Sequence, residues 1–276
     1  MLKRIVISLS LILAMCLGAS AQSFYVMHIK GKLFHQGNGK EIMQGDVITP
    51  SDKIRFSDNT ASAVLINTKT GRYTLKPNAG KSGSELNYVV SQVISPISQA
   101  AGLNTRGGIN ENTGTDVKDI AEYFGYGSFL FCDSSGSVLL NAAKWPIDPT
   151  HYFVYSYKYR GENVNKKVGW KNNTLLLEYK PLYTVKGDVI QLDSLPIVKL
   201  YYVNGSVDDS ECVASFHPVF KQREDIVNEL RLVKKIYETD SANDASIRMQ
   251  LKAYIGEVYG KCDAALLEIL LKEAMK

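Results

Sequence analysis

The spacing of apolar and polar residues changes character three times along the chain. From Phe24 to about Leu75 the period is two. The run FYVMHIKGKLF sets Tyr25, Met27 and Ile29 on one side of a strand, Ile54 alternates to Phe56, and Ala63 and Leu65 interleave with Val64 and Ile66. Turn-forming clusters (GNGK, QGD, SDN and TKTG) interrupt this pattern at short intervals. Short alternating segments with such turns predict a small antiparallel β module over residues 22–95. Residues 96–118, rich in Gly, Asn and Thr, break the pattern and read as a linker or long surface loop. Within it, Arg106 before Gly107-Gly108 offers a guanidinium to an anion.

The second texture spans residues 119–219. DIAEYFG predicts one short helix, and SFLFCDSSGSVLLN predicts a hairpin around Asp133-Ser134-Ser135-Gly136. In HYFVYSYKYRG, Phe153, Tyr155, Tyr157 and Tyr159 share one strand face opposite Val154, Ser156, Lys158 and Arg160. Further strands are expected at NTLLLEY, LYTVKGDVIQL, IVKLYYVN and CVASFHPVF, giving a second β-rich, sandwich-like domain or a curled sheet. After Pro218 the period lengthens to that of a helix. Ile226, Leu230, Val233 and Tyr237 recur at helical spacing, as do Ile247, Leu251, Tyr254 and Val258. Gly260 is placed to end the second helix, and Asp263 to cap a third that carries Leu266, Leu267, Ile269, Leu270 and Leu271. The fold class expected is therefore α+β, mainly β, with a helical segment over residues 220–276.

The first residues change where this chain is expected to work. Lys3 and Arg4 precede an apolar run that closes on Ala19-Ser20-Ala21, the form of a secretory signal peptide cleaved after Ala21. Lipidation at Cys16 is the competing reading, opposed by Met15, which stands where lipoprotein processing requires a small residue. No later window approaches the roughly 18 apolar residues of a spanning helix, so no stable membrane span is expected in the mature chain. Half of the formal net charge of +4 belongs to Lys3 and Arg4, and no Lys/Arg stripe is present, which argues against a nucleic-acid partner. Cys132, Cys212 and Cys262 lie far apart in sequence and lack CxxC spacing, consistent with buried thiols or one long-range disulfide beside a free thiol.

The run GKLFHQGNGKEIMQGDVITPSDKIRFSDNTASAVLINTKTGRYTLKPNAG resembles the FecR-type periplasmic module of iron-citrate sensor proteins. The positions that carry the resemblance are Gly31, Gly45, Asp46, Ile54, Phe56, Ala61, Ala63, Gly71, Leu75 and Pro77, within about residues 28–77. These letters are structural rather than catalytic. The resemblance implies a β module and contact with an envelope protein partner. Sensors of that family also carry a membrane span and a cytoplasmic segment, neither of which this sequence displays, so a soluble accessory role is the expectation here. The same placement disposes of a nucleotide-binding reading of Gly80-Lys81-Ser82. A phosphate-binding loop needs a glycine five positions before Gly80, where Leu75 stands in a strand.

Candidate chemistry is sparse. His28, His35, His151 and His217 share no ligand-like spacing. Asp208, Asp209 and Glu211 group near a turn without the spaced ligands of a calcium loop, and Glu178, Asp188 and Asp193 are a carboxylate set that folding alone could assemble. No catalytic, cofactor or metal residue is therefore assigned. The candidate interaction face is Phe153, Tyr155, Tyr157 and Tyr159, with Trp145 or Trp170 nearby, together with Leu266, Leu267 and Leu270. Each set also reads as core. Three functions follow: a non-catalytic exported envelope protein acting through protein contacts, a glycan-binding protein using the tyrosine face, and an enzyme whose site would be a deep pocket of converging ionisable groups.

Overall fold

A computed structural model describes residues 22–78, 86–97, 116–191 and 195–276. The expected leader, most of the linker with Arg106, the Gly80-Lys81-Ser82 turn and Asp193 lie outside the described residues. The chain divides into two compact units, one ending at Ile97 and the other starting at Ser98.

The first unit is built of β1 (Phe24–Lys30), β2 (Leu33–His35), β3 (Val47–Ile48), β4 (Lys53–Phe56), β5 (Ser62–Asn67), β6 (Gly71–Leu75), β7 (Asn87–Val89), the one-turn helix α1 (Val90–Val93) and β8 (Ile94–Pro96). Its strands form an antiparallel five-stranded sheet, β3-β1-β5-β6-β8, and an antiparallel three-stranded sheet, β2-β4-β7. Val26, Leu65 and Leu75 from the first sheet and Leu33, Ile54 and Phe56 from the second meet in one buried core. The alternation expected in β1 is corrected by a register shift between Val26 and Ile29. Phe24 and Val26 face the core before the shift and Ile29 faces it afterwards, whereas Tyr25 pairs with Ile66 on the opposite face. One inserted residue reverses the side-chain phase, because that phase has a period of two. Asp46 anchors its turn by accepting the Met43 amide at 2.9 Å. Leu75 lies in β6, paired with both Ala63 and Ile94.

The second unit opens with α2 (Ile120–Phe124), β9 (Ser128–Cys132), β10 (Ser135–Leu139), β11 (His151–Tyr159), β12 (Glu162–Lys167), β13 (Gly169–Lys171) and β14 (Thr174–Glu178). It continues through α3 (Tyr179–Leu182), the small hairpin β15 (Thr184–Val185) and β16 (Asp188–Val189), β17 (Val198–Asn204) and β18 (Asp209–Lys221). It ends with α4 (Arg223–Thr239), α5 (Asp244–Val258), β19 (Lys261–Cys262) and α6 (Ala264–Met275).

One hydrogen-bonded path, β12-β11-β17-β18-β9-β10-β14-β13, joins the large sheet, and β19 pairs with β9 beside it. Strands from both ends of this path supply one core: Phe153 and Tyr155 from β11 meet Leu175 and Leu177 from β14 and Tyr183 beyond α3. The sheet is curled about a single interior, the curled-sheet alternative of the two expected. Aromatic rings fill it, with Phe124 of α2 stacked on Phe216 of β18 at 4.2 Å between centroids.

The 13-residue β18 is the spine of this sheet. Asp209 to Phe216 pair antiparallel with β17, and His217 to Lys221 pair parallel with β9. The His217 amide donates to Gly127, so Pro218 turns its missing donor to the other side, beyond the last β17 pair. Proline is tolerated where no ladder bond is required of it.

On β9, Phe129 and Phe131 enter the aromatic core while Leu130 and Cys132 face the opposite side. The three terminal helices have the predicted buried stripes: Ile226, Leu230, Val233 and Tyr237 on α4, Ile247, Leu251 and Tyr254 on α5, and Leu267, Leu270 and Leu271 on α6. Ile255 takes the place expected of Val258, which is half-buried. Asp263 caps α6 as expected, accepting the amides of Ala265 and Leu266. Through β19 the helices belong to the same unit as the sheet, not to a separate tail. Within them, the buried Glu229 carboxylate accepts the hydroxyls of Tyr254 and Tyr259.

Candidate functional site

The tyrosine face proposed for binding is inside the protein. Phe153, Tyr155 and Tyr157 are buried, and Tyr159 is half-buried against the same core. Tyr155 and Tyr183 share a hydroxyl hydrogen bond of 2.8 Å, and Tyr157 donates to the Leu182 carbonyl at 3.0 Å. Burial pushes the Tyr157 phenol up to about 12 and Tyr155 well above its ordinary value. Leu267 and Leu270 are likewise buried, and Leu266 is half-buried. Both faces are therefore corrected from interaction surface to core. Each fully buried side chain of this size stabilises the fold by about 1.5–3 kcal/mol, a sufficient reason for its apolar character. Trp145 is also buried, its indole donating to the Lys118 carbonyl at 3.0 Å, while Trp170 is exposed on β13.

The polar candidates do not converge. Asp208 sits in the turn before β18, and Asp209 and Glu211 are exposed at its start. His28 lies on β1, His35 on β2 and His217 on β18, whereas His151 contacts Asp148 at 3.0 Å. The hydroxyl of Thr150 and the imidazole of His151 hold Asp148 well below the usual carboxylate range. Glu178 and Asp188 are exposed at strand ends. Among the described residues, no group of three metal-ligating side chains forms.

A cleft of about 560 Å³ in the second unit gathers residues that sequence reasoning did not connect. Its origin is a departure from hairpin geometry. The β9–β10 turn at Asp133 and Ser134, both at positive φ, closes the expected hairpin, but the two strands pair only at Cys132 and Ser135. Below that pair, β19 takes the flank of β9, with Lys261 opposite Phe129 and Cys262 opposite Leu130. β10 is displaced outward, and the space between it and β19 is the cleft. Asp116 to Asp119, Glu122 and Tyr123 line the remainder.

Most ionisable groups of the cleft are tied to local structure. Asp119 caps α2 by accepting the Glu122 amide, and Asp116 accepts from the Asn141 amide group at 2.5 Å. Asp263 caps α6 and also accepts the Tyr123 hydroxyl at 3.1 Å. The Lys261 ammonium donates to the Glu122 carbonyl. Burial lowers the pKa of Lys261 against the opposing influence of Glu122 and Asp119. Burial, reinforced by Asp263, raises Tyr123 and pushes the Cys262 thiol up to about 12. A thiol or phenol becomes nucleophilic when its pKa falls. Both of these are shifted the other way.

Among the described residues, backbone alternation leaves one edge of the cleft open. The Leu140 amide donates to Asn173 next to β14, whereas the Leu139 carbonyl on the other side accepts the Val117 amide. Residues along a strand alternate between its two edges. Ser135, Ser137 and Leu139 therefore present their backbone groups away from β14: Ser135 meets β9, Leu139 meets Val117, and Ser137 between them faces the cleft. Asp263 as a cap was legible in its sequence, and Lys261-Cys262 was not, because a two-residue strand has no period to read. No family model, curated protein or solved structure matches this chain.

Proposed function

We propose that this is a non-catalytic exported protein of the bacterial envelope, acting through protein–protein contacts in periplasmic sensing or assembly, with a FecR-like module as its first unit. The observation that carries the reading is the state of the large cleft. Asp119 and Asp263 cap helices, Lys261 bonds to a backbone carbonyl and Asp116 is held by Asn141, and the thiol and phenol are shifted away from nucleophilicity, while among the described residues a strand edge stays open. Such an arrangement favours recognition over bond-making. Export rests on the form of residues 1–21, and the FecR-like assignment on the matched letters between Gly31 and Pro77. Among the described residues, no helix is long and apolar enough to cross a membrane. Glycan binding by the tyrosine face is not proposed, since that face is core.

The test is mild crosslinking of the full mature chain in its native envelope, followed by affinity recovery and identification of attached proteins. A reproducible envelope protein crosslinked at residues 116–119, 137–139 or 261–265 supports the reading. Recovery of no protein partner overturns it. Intact mass of the recovered chain checks export independently, with Gln22 expected as the first residue.

A further inference from the structure

Because β10 and β19 stand apart, the second unit contains a short strand edge in a cleft rather than on open surface. We propose that this cleft accepts an extended segment of a protein partner, bearing a basic side chain, by strand addition to β10. The inference rests on the protein-contact reading above and names the kind of partner it requires.

Among the described residues, three backbone groups of β10 point toward the cleft without a partner in the β10–β14 ladder or in the Val117 bridge: the N–H and C=O of Ser137 and the N–H of Leu139. The edge already takes a strand immediately below. Val117 pairs parallel with Leu140, donating to the Leu139 carbonyl and accepting the Asn141 amide at 3.0 Å. An added segment would extend that pairing upward to Ser137. At about 3.3 Å per residue, a segment of three to five residues spans this edge. The cleft's 560 Å³ falls within the range of roughly 300–1,000 Å³ typical of ligand sites. Main-chain bonds of this kind supply affinity, and the pockets for alternate side chains supply choice.

Charge selects the side chain. Asp116, Asp119, Glu122 and Asp263 line the cleft against Lys118 and Lys261, leaving it acidic. Glu122 is exposed at the mouth, where its carboxylate can meet a lysine or arginine of the segment. Leu139, 47% exposed, offers an apolar contact for a neighbouring position.

The probe is the acetylated, amidated pentapeptide Val-Lys-Val-Lys-Val, titrated into the 15N-labelled mature chain. Its Val-Glu-Val-Glu-Val counterpart and a backbone N-methylated Lys version serve as comparisons. Expected are amide shifts at Ser137, Leu139, Lys261 and Cys262, at least fivefold weaker binding of the Glu peptide, and no binding of the N-methylated one. Ser137→Pro removes the cleft-facing donor without removing a β10–β14 bond and should weaken the Lys peptide at least tenfold, with Ser137→Ala unchanged. Glu122→Gln should weaken it several-fold while strengthening the Glu peptide.

Binding that maps elsewhere, equal binding of the N-methylated peptide, or no binding at millimolar peptide overturns the proposal. So does a Ser137 amide already protected from hydrogen exchange in the peptide-free chain, because its edge would then be occupied by the chain itself. An envelope partner recovered equally well by Ser137→Pro also overturns the cleft assignment, while leaving the protein-contact reading standing. Recovery of no envelope partner overturns that reading, and the peptide titration still decides the cleft.

Discussion

Gly260 joins α5 to β19, and replacing it with alanine should expose how the cleft wall is held. Its φ is +88°, and a Cβ built there would lie 2.2 Å from the Ser128 carbonyl oxygen and 2.7 Å from the Ser128 carbonyl carbon. Gly161, in the β11–β12 turn, is the matched control: its φ is +85°, but nothing lies within 4 Å of a built Cβ. The left-handed conformation costs an L-residue about 1–2 kcal/mol at either position. At Gly260 alone, β19 or β9 must also move by about 1 Å, since contacts under about 3 Å are not tolerated. β9 is held on its other side by β18, so β19 should yield, losing about two backbone hydrogen bonds at roughly 1 kcal/mol each. Gly161→Ala should therefore destabilise by about 1–2 kcal/mol and Gly260→Ala by about 3–4 kcal/mol. Urea unfolding followed by tryptophan fluorescence measures the second unit specifically, because Trp145 and Trp170 are the chain's two tryptophans and both lie there. Equal losses for the two variants at unchanged m-value would refute the steric reasoning and, with it, the picture of β19 as a wall pinned against β9.

Other consequences follow from buried polar groups. Tyr155→Phe and Tyr183→Phe should each cost about 1–3 kcal/mol by orphaning the opposite hydroxyl, and the double variant less than their sum; additivity in a double-mutant cycle would show that the 2.8 Å bond contributes nothing. Glu229→Leu leaves the Tyr254 and Tyr259 hydroxyls without their carboxylate and should destabilise by about 2–5 kcal/mol in the same urea assay, whereas Tyr259→Phe, which keeps the Tyr254 bond, should cost about half that. Among Cys132, Cys212 and Cys262, a disulfide reagent at neutral pH should modify the exposed Cys212 rapidly, the half-buried Cys262 far more slowly and the buried Cys132 only on unfolding; reaction at Cys262 as fast as at Cys212 would contradict its raised pKa. Cys262 and Tyr157 both bind their protons more tightly in the folded state, each to about 12, against roughly 8.5 and 10 when unfolded. Their stabilisation is complete below about pH 8.5 and is lost as pH rises to 12, by up to about 1.4 kcal/mol per unit for each group. Burial raises Cys132 to about 11 as well, so Cys262→Ser should remove about half of the slope that begins near pH 9.

The helices and most strands were legible because each repeats one period over several residues. Ile226, Leu230, Val233 and Tyr237 could form a buried stripe only on a helix, and Phe153, Tyr155 and Tyr157 only on a strand. The caps at Asp263 and Gly260 were legible for the same local reason. Whether the tyrosine face was surface or interior was not, because an aromatic ladder has the same sequence signature in either place. The answer depended on β14 and Tyr183 closing over β11 from 18 or more residues away. The shift in β1 was equally hidden, since one extra residue leaves no mark on composition while reversing the side-chain phase.

The cleft was the least legible feature. Its walls come from a hairpin, the stretch before α2 and two residues between the last helices, and its openness arises because Lys261-Cys262 displaces β10 from its sequence neighbour β9. By itself the sequence determined where periodic elements begin and end, because propensity, capping and amphipathic spacing act over a few residues. Only the tertiary structure decided which faces are buried and which strand edge is left without a partner among the described residues, because both depend on competition among segments far apart in the chain for the same flank of a sheet.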